Sequence, residues 1–564
     1  MLKKILIFLI SLLFITIPII NSNLGELFWI KLWLNVNWNY EFSKIIFFNI
    51  ISSIIIFLFF IYSILNKKSI KIPKLIFIII LFFSISTFFS ISPYISFFWN
   101  NKKGHWLLMF INLISLFIIF LNLSKKEKKK FLKYSLIGLL LSSLIAIWQL
   151  YFPTFNYGNL SNRALWTFWH PNYLALYLLL YLLILIHNKL QLKNNLNLIL
   201  LILLITALIL TKSFIWIFIW LSYLWVIYYK NLNWKNKKLF LILLLIGVFF
   251  ISFIILHNFW YTKIHSFISR FFIWETTLRT IIESPKTFLI WNWFETLNLV
   301  FEKNKSPFLY IFENFGYTAD RPHNILLLFF YSTGIFGFFL ITTIYYIILK
   351  FKTSVYKESL LLAFIFLLFN FASITSYLLI ILFLSFLIKT KNKNNFNYLF
   401  FFILTIISLY WAYNSYLYYK AENYIKHWKI INITNIFKYN PNYYFKNWEP
   451  EKWLKYINQK TELYYKSKIY FKNDLKNWCL NLTQNYPSVE NYFFCGDIYW
   501  NIDKNIAKKY YLKWLKKLPN LWNKNSKYYN YIIIKDTINW NRFFSSKYSN
   551  IKIILKRMLI KLEK

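Results

Sequence analysis

Asp320-Arg321-Pro322-His323-Asn324 is followed directly by ILLLFFYSTGIFGFFLITTIYYIIL, an apolar run of 25 residues from Ile325 to Leu349. A helix needs about 20 apolar residues to cross a bilayer, so this run predicts a membrane-spanning helix. The five residues before it close a polar segment that begins near Asn258. This border predicts a chain in which membrane helices flank a large segment outside the bilayer.

The composition places the whole chain in the same class. Of its 564 residues, 58% are hydrophobic, and the mean hydropathy is +0.46, which is too apolar for a soluble globular protein. The formal net charge is +45. Binding of nucleic acid requires a basic face in water, whereas most lysines here punctuate apolar runs. The sequence therefore predicts an all-α, polytopic membrane protein that binds no nucleic acid.

Thirteen apolar runs approach the length that a bilayer requires. The first follows Lys3 and Lys4 without a small-residue cleavage site, which favours a retained helix over a removed signal peptide. The two runs on either side of Phe371 are short, and one kinked helix is an alternative there, so we expect about 12 to 13 membrane helices. The runs are Leu2 to Ile20, Ile45 to Leu65, Leu75 to Ile91, Trp106 to Leu123, Phe131 to Leu150, Tyr173 to His187, Leu196 to Leu210, Phe214 to Tyr229, Leu239 to Leu256, Ile325 to Leu349, Leu360 to Phe371, Ser376 to Ile388 and Tyr398 to Tyr413.

Lysines are concentrated in alternate connections between these runs, around Lys67, Lys125, Lys235, Lys350 and Lys389. Lysines near the ends of membrane helices stay on the cytoplasmic side. The pattern predicts a multi-pass protein of the cytoplasmic membrane with its N-terminus inside the cell. The predicted regions are a first transmembrane block 1–257, a large external loop 258–324, a second transmembrane block 325–413 and an external helical domain 421–564.

Arginine is rare in this chain, with six residues against 59 lysines. Its planar guanidinium grips phosphate or carboxylate bidentately, which lysine cannot do. Clustering of this rare residue in the predicted outer segments indicates one anionic ligand. Ion pairs with acidic residues of the external loop are the alternative, and we expect two arginines in each role. The four arginines of the outer segments are Arg163, Arg270, Arg279 and Arg321.

Local patterns give some of these segments a structure. Arg270 and Trp274 are one helical turn apart and Arg279 follows, which predicts an amphipathic helix at the membrane surface. Earlier in the chain, Asn172 stands before an apolar run and is the predicted N-cap of the helix that begins there. A helix N-terminus is itself suited to an anion.

His323 is the candidate base of this chain. It follows Pro322 and precedes a membrane helix whose N-terminal dipole favours the neutral imidazole, and a neutral imidazole can accept a proton. Asp320 and Asn324 flank it. The outer segments contain no acidic pair of the kind that chelates Mg²⁺ or Mn²⁺ and no glycine-rich phosphate loop, so we expect neither a metal nor a cofactor.

Together these residues resemble the motifs of the O-antigen ligase and O-antigen polymerase superfamily. In that family a membrane block R...GTF..PN..A precedes a large external loop that contains R...W and a proline and ends in HN, before a helix with G..G. The match covers about residues 163–349. The matching residues are Arg163, Thr167, Phe168, Pro171, Asn172, Ala175, Arg270, Trp274, Pro285, His323, Asn324, Gly334 and Gly337.

The resemblance implies a metal-independent glycosyltransferase. It would move a glycan from undecaprenyl diphosphate to an acceptor hydroxyl on the outer face of the cytoplasmic membrane, with fixed cations on the leaving diphosphate. His323 would deprotonate or orient the acceptor hydroxyl and Asp320 would hold the imidazole. The implied substrate-binding residues are Arg270 and Arg279 on the diphosphate, Arg163 and Arg321 in assistance or in ordering the loop, and Asn324.

Several alternatives stay open. The acceptor is a glycan, a lipid or a protein, so a surface-polysaccharide polymerase and a protein O-glycosyltransferase are alternatives within the family. From another class, a transporter or flippase of an anionic lipid-linked glycan would use the same arginines without cleaving a bond. Transporters commonly carry internal repeats and broken mid-membrane helices. The sequence shows no such repeat, and we favour the enzyme.

The region after Ala421 is amphipathic, aromatic and charged, which predicts a separate helical domain that contacts a partner protein or the acceptor. Ala507, Tyr511, Trp514 and Pro519 have the spacing of the second helix of a tetratricopeptide repeat, and Gly496 and Tyr499 resemble its first helix, one residue short. A generic helical hairpin is the alternative, because one repeat does not suffice alone. Cys479 and Cys495 allow one disulfide. Two unpaired structural thiols are the expectation that we favour.

Overall fold

The structure is a computed structural model of the chain. It describes residues 2–20, 40–90, 96, 107–151, 168, 170–187, 190, 192–213, 268–283, 285–289, 296–306, 309, 319, 321–388, 396–426, 479–480, 495–496, 499 and 503–517. The predicted spans Phe214 to Tyr229 and Leu239 to Leu256 lie outside the described residues.

The described part of the chain is all-helical and contains no β-strand, as the composition predicted. The helices are α1 Leu2–Thr16, α2 Tyr40–Leu65, α3 Lys74–Phe88, α4 Leu107–Asn122, α5 Lys125–Tyr151, α6 Pro171–Ile186, α7 Asn194–Leu210, α8 268–281, α9 Pro285–Leu289, α10 Leu297–Asn304, α11 Ile325–Lys350, α12 Val355–Leu367, α13 Ile374–Leu387, α14 Phe396–Lys426 and α15 Lys504–Lys517.

Three of the described helices are long and apolar enough to cross a membrane. They are α2 over Lys44–Leu65, α5 over Lys125–Trp148 and α11 over Ile325–Lys350. Six further apolar stretches, in α3, α4, α6, α7, α13 and α14, have 10–17 residues. A membrane association is therefore supported by three helices, and the 12 to 13 crossings that the sequence predicts stay a prediction.

Lysine-rich helix ends gather at one end of the bundle. The ammonium of Lys3 in α1 pairs with Glu127 of α5 at 2.7 Å. The neighbouring Lys128 donates to the main-chain carbonyl of Ser385, near the end of α13, at 2.6 Å. Several of the connections that the lysine pattern predicts to be cytoplasmic are thus neighbours in space, and we call this part of the bundle the lysine-rich end.

Asparagines tie further helices to the same end. The side chain of Asn122, at the end of α4, accepts from the backbone N–H of Lys71 at 2.9 Å and donates to its carbonyl at 3.0 Å. Asn397 in the first turn of α14 donates to the carbonyl of Ile70 at 2.7 Å. The loop between α2 and α3 therefore lies between the end of α4 and the start of α14.

A buried polar cluster joins α2, α4 and α14 within the bundle. Asn112 donates to Asn49 at 3.4 Å, Ser408 donates to Asn112 at 2.6 Å, and Asn49 donates to Ser415 at 3.2 Å. Ser53 completes the cluster with a 2.7 Å hydrogen bond to the carbonyl of Ser408. Side-chain hydrogen bonds of this kind hold helices together where apolar packing gives little specificity.

Helix α11 bends at Thr333 and Gly334, where the backbone leaves the helical region. Gly334 has a φ of 63° and a ψ of −159°, a conformation that glycine adopts at low cost and other residues do not. The hydroxyl of Ser86 in α3 donates to the carbonyl of Ser332 at 2.8 Å. A carbonyl beside a helix break needs such a partner in apolar surroundings.

Gly337, the second glycine of the G..G motif, is required for a different reason, the lack of space for a side chain. A Cβ atom at Gly337 would collide with the hydroxyl of Thr333 and with the main-chain carbonyl of Phe329, one turn and two turns earlier in α11. The bend closes the inner side of the helix over this position. Both glycines are therefore required by the shape of α11.

Helices α12 and α13 form a hairpin, not one kinked helix. Lys357 at the start of α12 donates to the carbonyl of Leu349 at the end of α11, at 2.7 Å, and Ser385 near the end of α13 lies at the lysine-rich end, as described above. The turn between the helices, capped by the side chain of Ser373 on the N–H of Ser376, lies at the opposite end. With 13 and 14 residues, each arm is roughly 20 Å long.

The described part of the predicted external loop has a small core of its own. Ile273 and Ile281 of α8, Phe301 of α10 and Tyr331 of α11 are buried together. The hydroxyls of Thr296 and Tyr331 are 3.0 Å apart. The first two turns of α11 therefore support the loop helices, which fixes the position of α8 relative to the end of the bundle.

In the C-terminal region, residues with tetratricopeptide-like spacing pack together. Tyr499, Ala507 and Tyr511 are buried, and a Cβ atom at Gly496 would meet the ring of Tyr511. Helix α14 runs on to Lys426, so the predicted start of this domain at residue 421 falls inside a helix. The division into domains stays a prediction.

The two cysteines of the chain form a disulfide. Cys479 and Cys495 are joined, with their Cα atoms 5.7 Å apart, which lies within the range that a disulfide requires. The expectation of two unpaired thiols was therefore wrong. Sequence spacing did not reveal the pairing because the distance between the two Cα atoms depends on how the intervening chain folds.

Candidate functional site

The turn of the α12–α13 hairpin contacts all three parts of the chain that the sequence singled out. We call Phe369, Asn370 and Phe371 the tip segment. Phe369 contacts helix α8, Asn370 contacts the start of α6, and Phe371 contacts the residues before α11 as well as the start of α6. Three consecutive residues thus connect segments that lie far apart in the sequence.

The ring of Phe371 lies at the centre of these contacts. The guanidinium carbon of Arg321 is 5.4 Å from its centroid, within the range of a cation–π interaction, and the imidazole of His323 is 4.5 Å away, centroid to centroid. Tyr173 packs against the same ring at 4.8 Å in an edge-on arrangement. Phe371 therefore holds an arginine and a histidine of the predicted motif side by side.

Arg321 is almost completely buried. It is 1% exposed, and its Nη1 donates to the hydroxyl of Tyr173 at 3.2 Å. A guanidinium that is buried between a tyrosine hydroxyl and a phenylalanine ring holds neighbouring groups in place. This position fits one of the two roles that the resemblance implies for Arg321, the ordering of the loop.

His323 has a φ of 54°, which is the left-handed region that residues other than glycine seldom adopt. Histidine is among the residues that tolerate it better than most. The following residue, Asn324, is extended, and its side chain accepts from the N–H of Leu327 at 3.1 Å, so it caps α11. Asn324 therefore has a structural role, while the turn at His323 leaves the imidazole partly exposed beside Phe371.

The start of α6 differs from the prediction. His170, not Asn172, is the N-cap: its Nδ1 accepts from the N–H of Asn172 at 3.2 Å. The side chain of Asn172 instead donates to Oδ1 of Asn370 at 2.6 Å. The prediction of Asn172 as N-cap was wrong because Pro171 occupies the first helical position, which puts the cap at His170, two residues before Asn172.

The stretch with Arg270 is helical, as predicted, and forms α8. Nη1 of Arg270 donates to the main-chain carbonyl of Phe369 at 2.9 Å. One turn later, the indole of Trp274 lies 6.1 Å from the ring of Phe369. Arg270 and Trp274 are four residues apart and therefore lie on one face of α8, from which both contact the tip segment.

Arg279 lies apart from this group. Nine residues separate it from Arg270, which corresponds to about half a turn around the helix and about 13 Å along it. Its guanidinium pairs with Glu275 at 2.5 Å, and both side chains are exposed to solvent. Glu275 also accepts from the hydroxyl of Ser306 at 2.8 Å. Arg279 therefore belongs to an ion pair of the loop helices, the structural alternative that the sequence left open.

Two predicted site residues, Arg163 and Asp320, lie outside the described residues. Of the other five, the structure brings Arg270, Arg321, His323 and Asn324 to the neighbourhood of the tip segment.

The three residues of the tip segment were not among the predicted site residues. The tip segment was read as the end of an apolar run, although an asparagine between two phenylalanines before a serine N-cap signals a turn. Lys44 was also missed. It is buried, and its ammonium lies 3.9 Å from the ring centroid of Phe168 in the membrane block of the motif. Its position directly before an apolar run made it look like a flanking charge.

The arrangement can bind an anion and move a proton. Its groups are two guanidiniums, amide N–H donors and a partly exposed imidazole. Within the described part of the chain, no group of three histidine, cysteine, aspartate or glutamate side chains is placed to hold a metal ion. Comparison of the chain with protein families, curated proteins and solved structures finds no match.

Proposed function

We propose that this protein is a membrane glycosyltransferase similar to O-antigen ligases. It transfers a glycan from undecaprenyl diphosphate to the hydroxyl of an acceptor, on the outer face of the cytoplasmic membrane. One observation carries the proposal: the tip segment lies against Arg270, Asn172, Arg321 and His323, which come from the three separate blocks of the sequence motif.

The chemistry requires a base and fixed cations. We assign to His323 the removal of the proton from the acceptor hydroxyl. The acceptor oxygen then bonds to the anomeric carbon of the glycan while the bond from that carbon to the diphosphate oxygen breaks. Undecaprenyl diphosphate leaves with the electron pair, and fixed cations stabilise the charge that develops on it.

The arginines divide this work according to their positions. Arg270 is partly exposed and takes the diphosphate, and Arg321 is buried and positions the segment that carries His323. Arg279 orders the loop through Glu275. Arg163 and Asp320 keep the roles that the resemblance implies. Arg163 assists with the diphosphate or orders the loop, and Asp320 holds the imidazole of His323.

The same proposal places the lysine-rich end in the cytoplasm and the tip segment toward the outside. Lysine-rich connections stay on the cytoplasmic side, and the contacts of Lys3 and Lys128 bring several of them together. The tip segment lies at the other end of the α12–α13 hairpin. In this orientation Arg270, Arg321 and His323 lie toward the compartment in which lipid-linked glycans are presented to acceptors.

The test is mass spectrometry of surface glycans from cells with the intact chain, cells without it, and cells with His323→Asn. We expect one glycan to lose its attachment to one acceptor in the second and third strains, and the acceptor to distinguish ligase, polymerase and protein glycosyltransferase. Identical glycans in the three strains would refute the enzyme. A glycan that fails to reach the outer face would indicate transport instead.

A further inference from the structure

Asn370 has a buried amide that the protein leaves incompletely used. The residue is 2% exposed, and its Oδ1 accepts from Asn172. Its Nδ2 group finds no hydrogen-bond acceptor in the described part of the chain. A buried donor without an acceptor destabilises the folded protein. If the oxygen and nitrogen positions of both side-chain amides are exchanged, Asn370 donates to Asn172 and the NH₂ group of Asn172 lacks an acceptor instead. One NH₂ group of the Asn172–Asn370 pair therefore needs an acceptor in either arrangement.

The residues on either side of Asn370 contact cationic side chains. On one side, Arg270 holds the carbonyl of Phe369, and on the other the guanidinium of Arg321 lies over Phe371. Asn172 is the second residue of α6, a helix of 16 residues. Pro171 has no N–H group, and the N–H groups of Asn172 and Tyr173 already donate to His170. The macrodipole of the helix nevertheless makes this end positive, which favours an anion nearby.

We propose that Asn370 is a ligand-binding residue: its NH₂ group, together with Arg270 and within the positive field at the start of α6, binds the oxygens of a diphosphate. Phosphate oxygens only accept hydrogen bonds, and they accept strongly from amides, guanidiniums and helix N-termini. A diphosphate supplies several such oxygens to donors that lie on different elements. The inference rests on the proposed function in one respect only, namely that the diphosphate is part of a lipid-linked glycan.

The hydrogen bond from Asn172 to Asn370 acts as the positioning element of this site. It fixes the Oδ1 of Asn370 and thereby the direction of the NH₂ group, and it connects the hairpin to the helix N-terminus. Asn370 lies outside residues 163–349, the part of the chain that the family resemblance covers. The motif residues therefore do not reveal it.

The experiment is a calorimetric titration of the purified full-length chain in detergent with inorganic pyrophosphate. Asn370→Leu keeps the approximate size of the side chain and removes its donor, and we expect pyrophosphate to bind roughly ten- to a hundredfold more weakly, as for the loss of one hydrogen bond to a charged group. Asn370→Asp keeps the acceptor for Asn172 and replaces the NH₂ group by oxygen. We expect it to retain the melting temperature and also lose affinity.

Asn397 provides the matched control. It is also a buried asparagine, but its amide donates to the carbonyl of Ile70 at the lysine-rich end. We expect Asn397→Ala to lower the melting temperature and to leave the affinity for pyrophosphate unchanged. Wild-type affinity in Asn370→Leu overturns the inference, as does an equal loss of affinity in Asn397→Ala.

A competition experiment identifies the source of the diphosphate. Undecaprenyl diphosphate in nanodiscs displaces bound pyrophosphate if the site takes a lipid headgroup, whereas a site for a soluble diphosphate is not emptied by it. The outcome is separable from that of the proposed function. Glycan transfer together with unchanged pyrophosphate affinity in Asn370→Leu refutes this site alone, and pyrophosphate binding through Asn370 without any transfer refutes the enzyme alone.

Discussion

The imidazole of His323 packs on the ring of Phe371, with 4.5 Å between the ring centroids. The two side chains come from different elements, the turn before α11 and the turn between α12 and α13. Their contact couples the candidate base to the tip segment, so a change in the tip segment is expected to reach the base directly.

Replacement of Phe371 tests this coupling. Phe371→Leu removes the aromatic surface under His323 and Arg321, and aromatic and cation–π contacts contribute about 1 kcal/mol each. We expect the turnover of lipid-linked donor to fall roughly tenfold or more, with Phe371→Tyr close to wild type because the ring is retained. Phe336→Leu is the control, since Phe336 is 46% exposed and stacks on Phe82 elsewhere in α11. Equal turnover in the Leu variants of both positions would contradict the coupling.

His323→Asn is expected to abolish or nearly abolish glycan transfer while donor binding stays measurable. General-base assistance is typically worth roughly 100- to 10,000-fold in rate. Asparagine tolerates the left-handed backbone at this position, so the variant loses the imidazole without straining the turn. The melting temperature of His323→Ala, compared with that of His323→Asn, measures how much the left-handed backbone at this position contributes to stability. Parallel loss of donor binding and transfer would make His323 a phosphate ligand.

Arg270→Lys is expected to impair transfer far more than Arg279→Lys, although both changes conserve the charge. Lysine lacks the planar fork with which Arg270 holds the carbonyl of Phe369, and the loss of one contact of a charged group is on the order of 2 kcal/mol. Arg279 forms an exposed ion pair with Glu275, and exposed pairs contribute roughly 0–1 kcal/mol. Turnover at limiting donor decides between them, and equal effects would remove Arg270 from the site.

The orientation of the bundle is tested by impermeant labelling of single cysteines in intact cells. We expect labelling at Lys286, beside Pro285, and at Asn440, and none at Lys126. Lys286 and Lys126 are both exposed, so the membrane alone separates them, whereas the buried Lys128 is a poor site. The native Cys479 and Cys495 are joined and give no background while oxidised. Labelling of position 126 from outside would invert the topology and the placement of the site.

Hydrophobic patterning predicted the helices well because a long apolar run has few other stable forms in lipid. The run from Ile325 to Leu349 is helix α11, and the run from Tyr173 to His187 is most of α6, with differences of at most two residues at each end. The bend of α11 was not predictable in this way. Gly334 alone does not break a helix, and the partner that accommodates the bend, Ser86, lies in another helix.

The residues of the candidate site could be predicted where they belong to types that are rare in this chain. Arg321 and His323 stood out because arginine and histidine are rare in this chain, and both lie at the tip segment. Asn370 did not stand out, since asparagine is common here and its meaning depends on Asn172 in α6. The role of Arg279 was set by Glu275, one of several carboxylates in the loop, and only the fold selects among them.

The lengths of α12 and α13 have a consequence for the lipid around the protein. Each arm of the hairpin measures roughly 20 Å, while the hydrocarbon layer of a typical bilayer is about 30 Å thick. In the proposed orientation the hairpin is thus hydrophobically mismatched, and the tip segment lies beneath the outer headgroups unless the membrane thins locally. We expect transfer in reconstituted vesicles to slow as the acyl chains lengthen, because the diphosphate must descend farther from its own headgroup plane to reach Asn370.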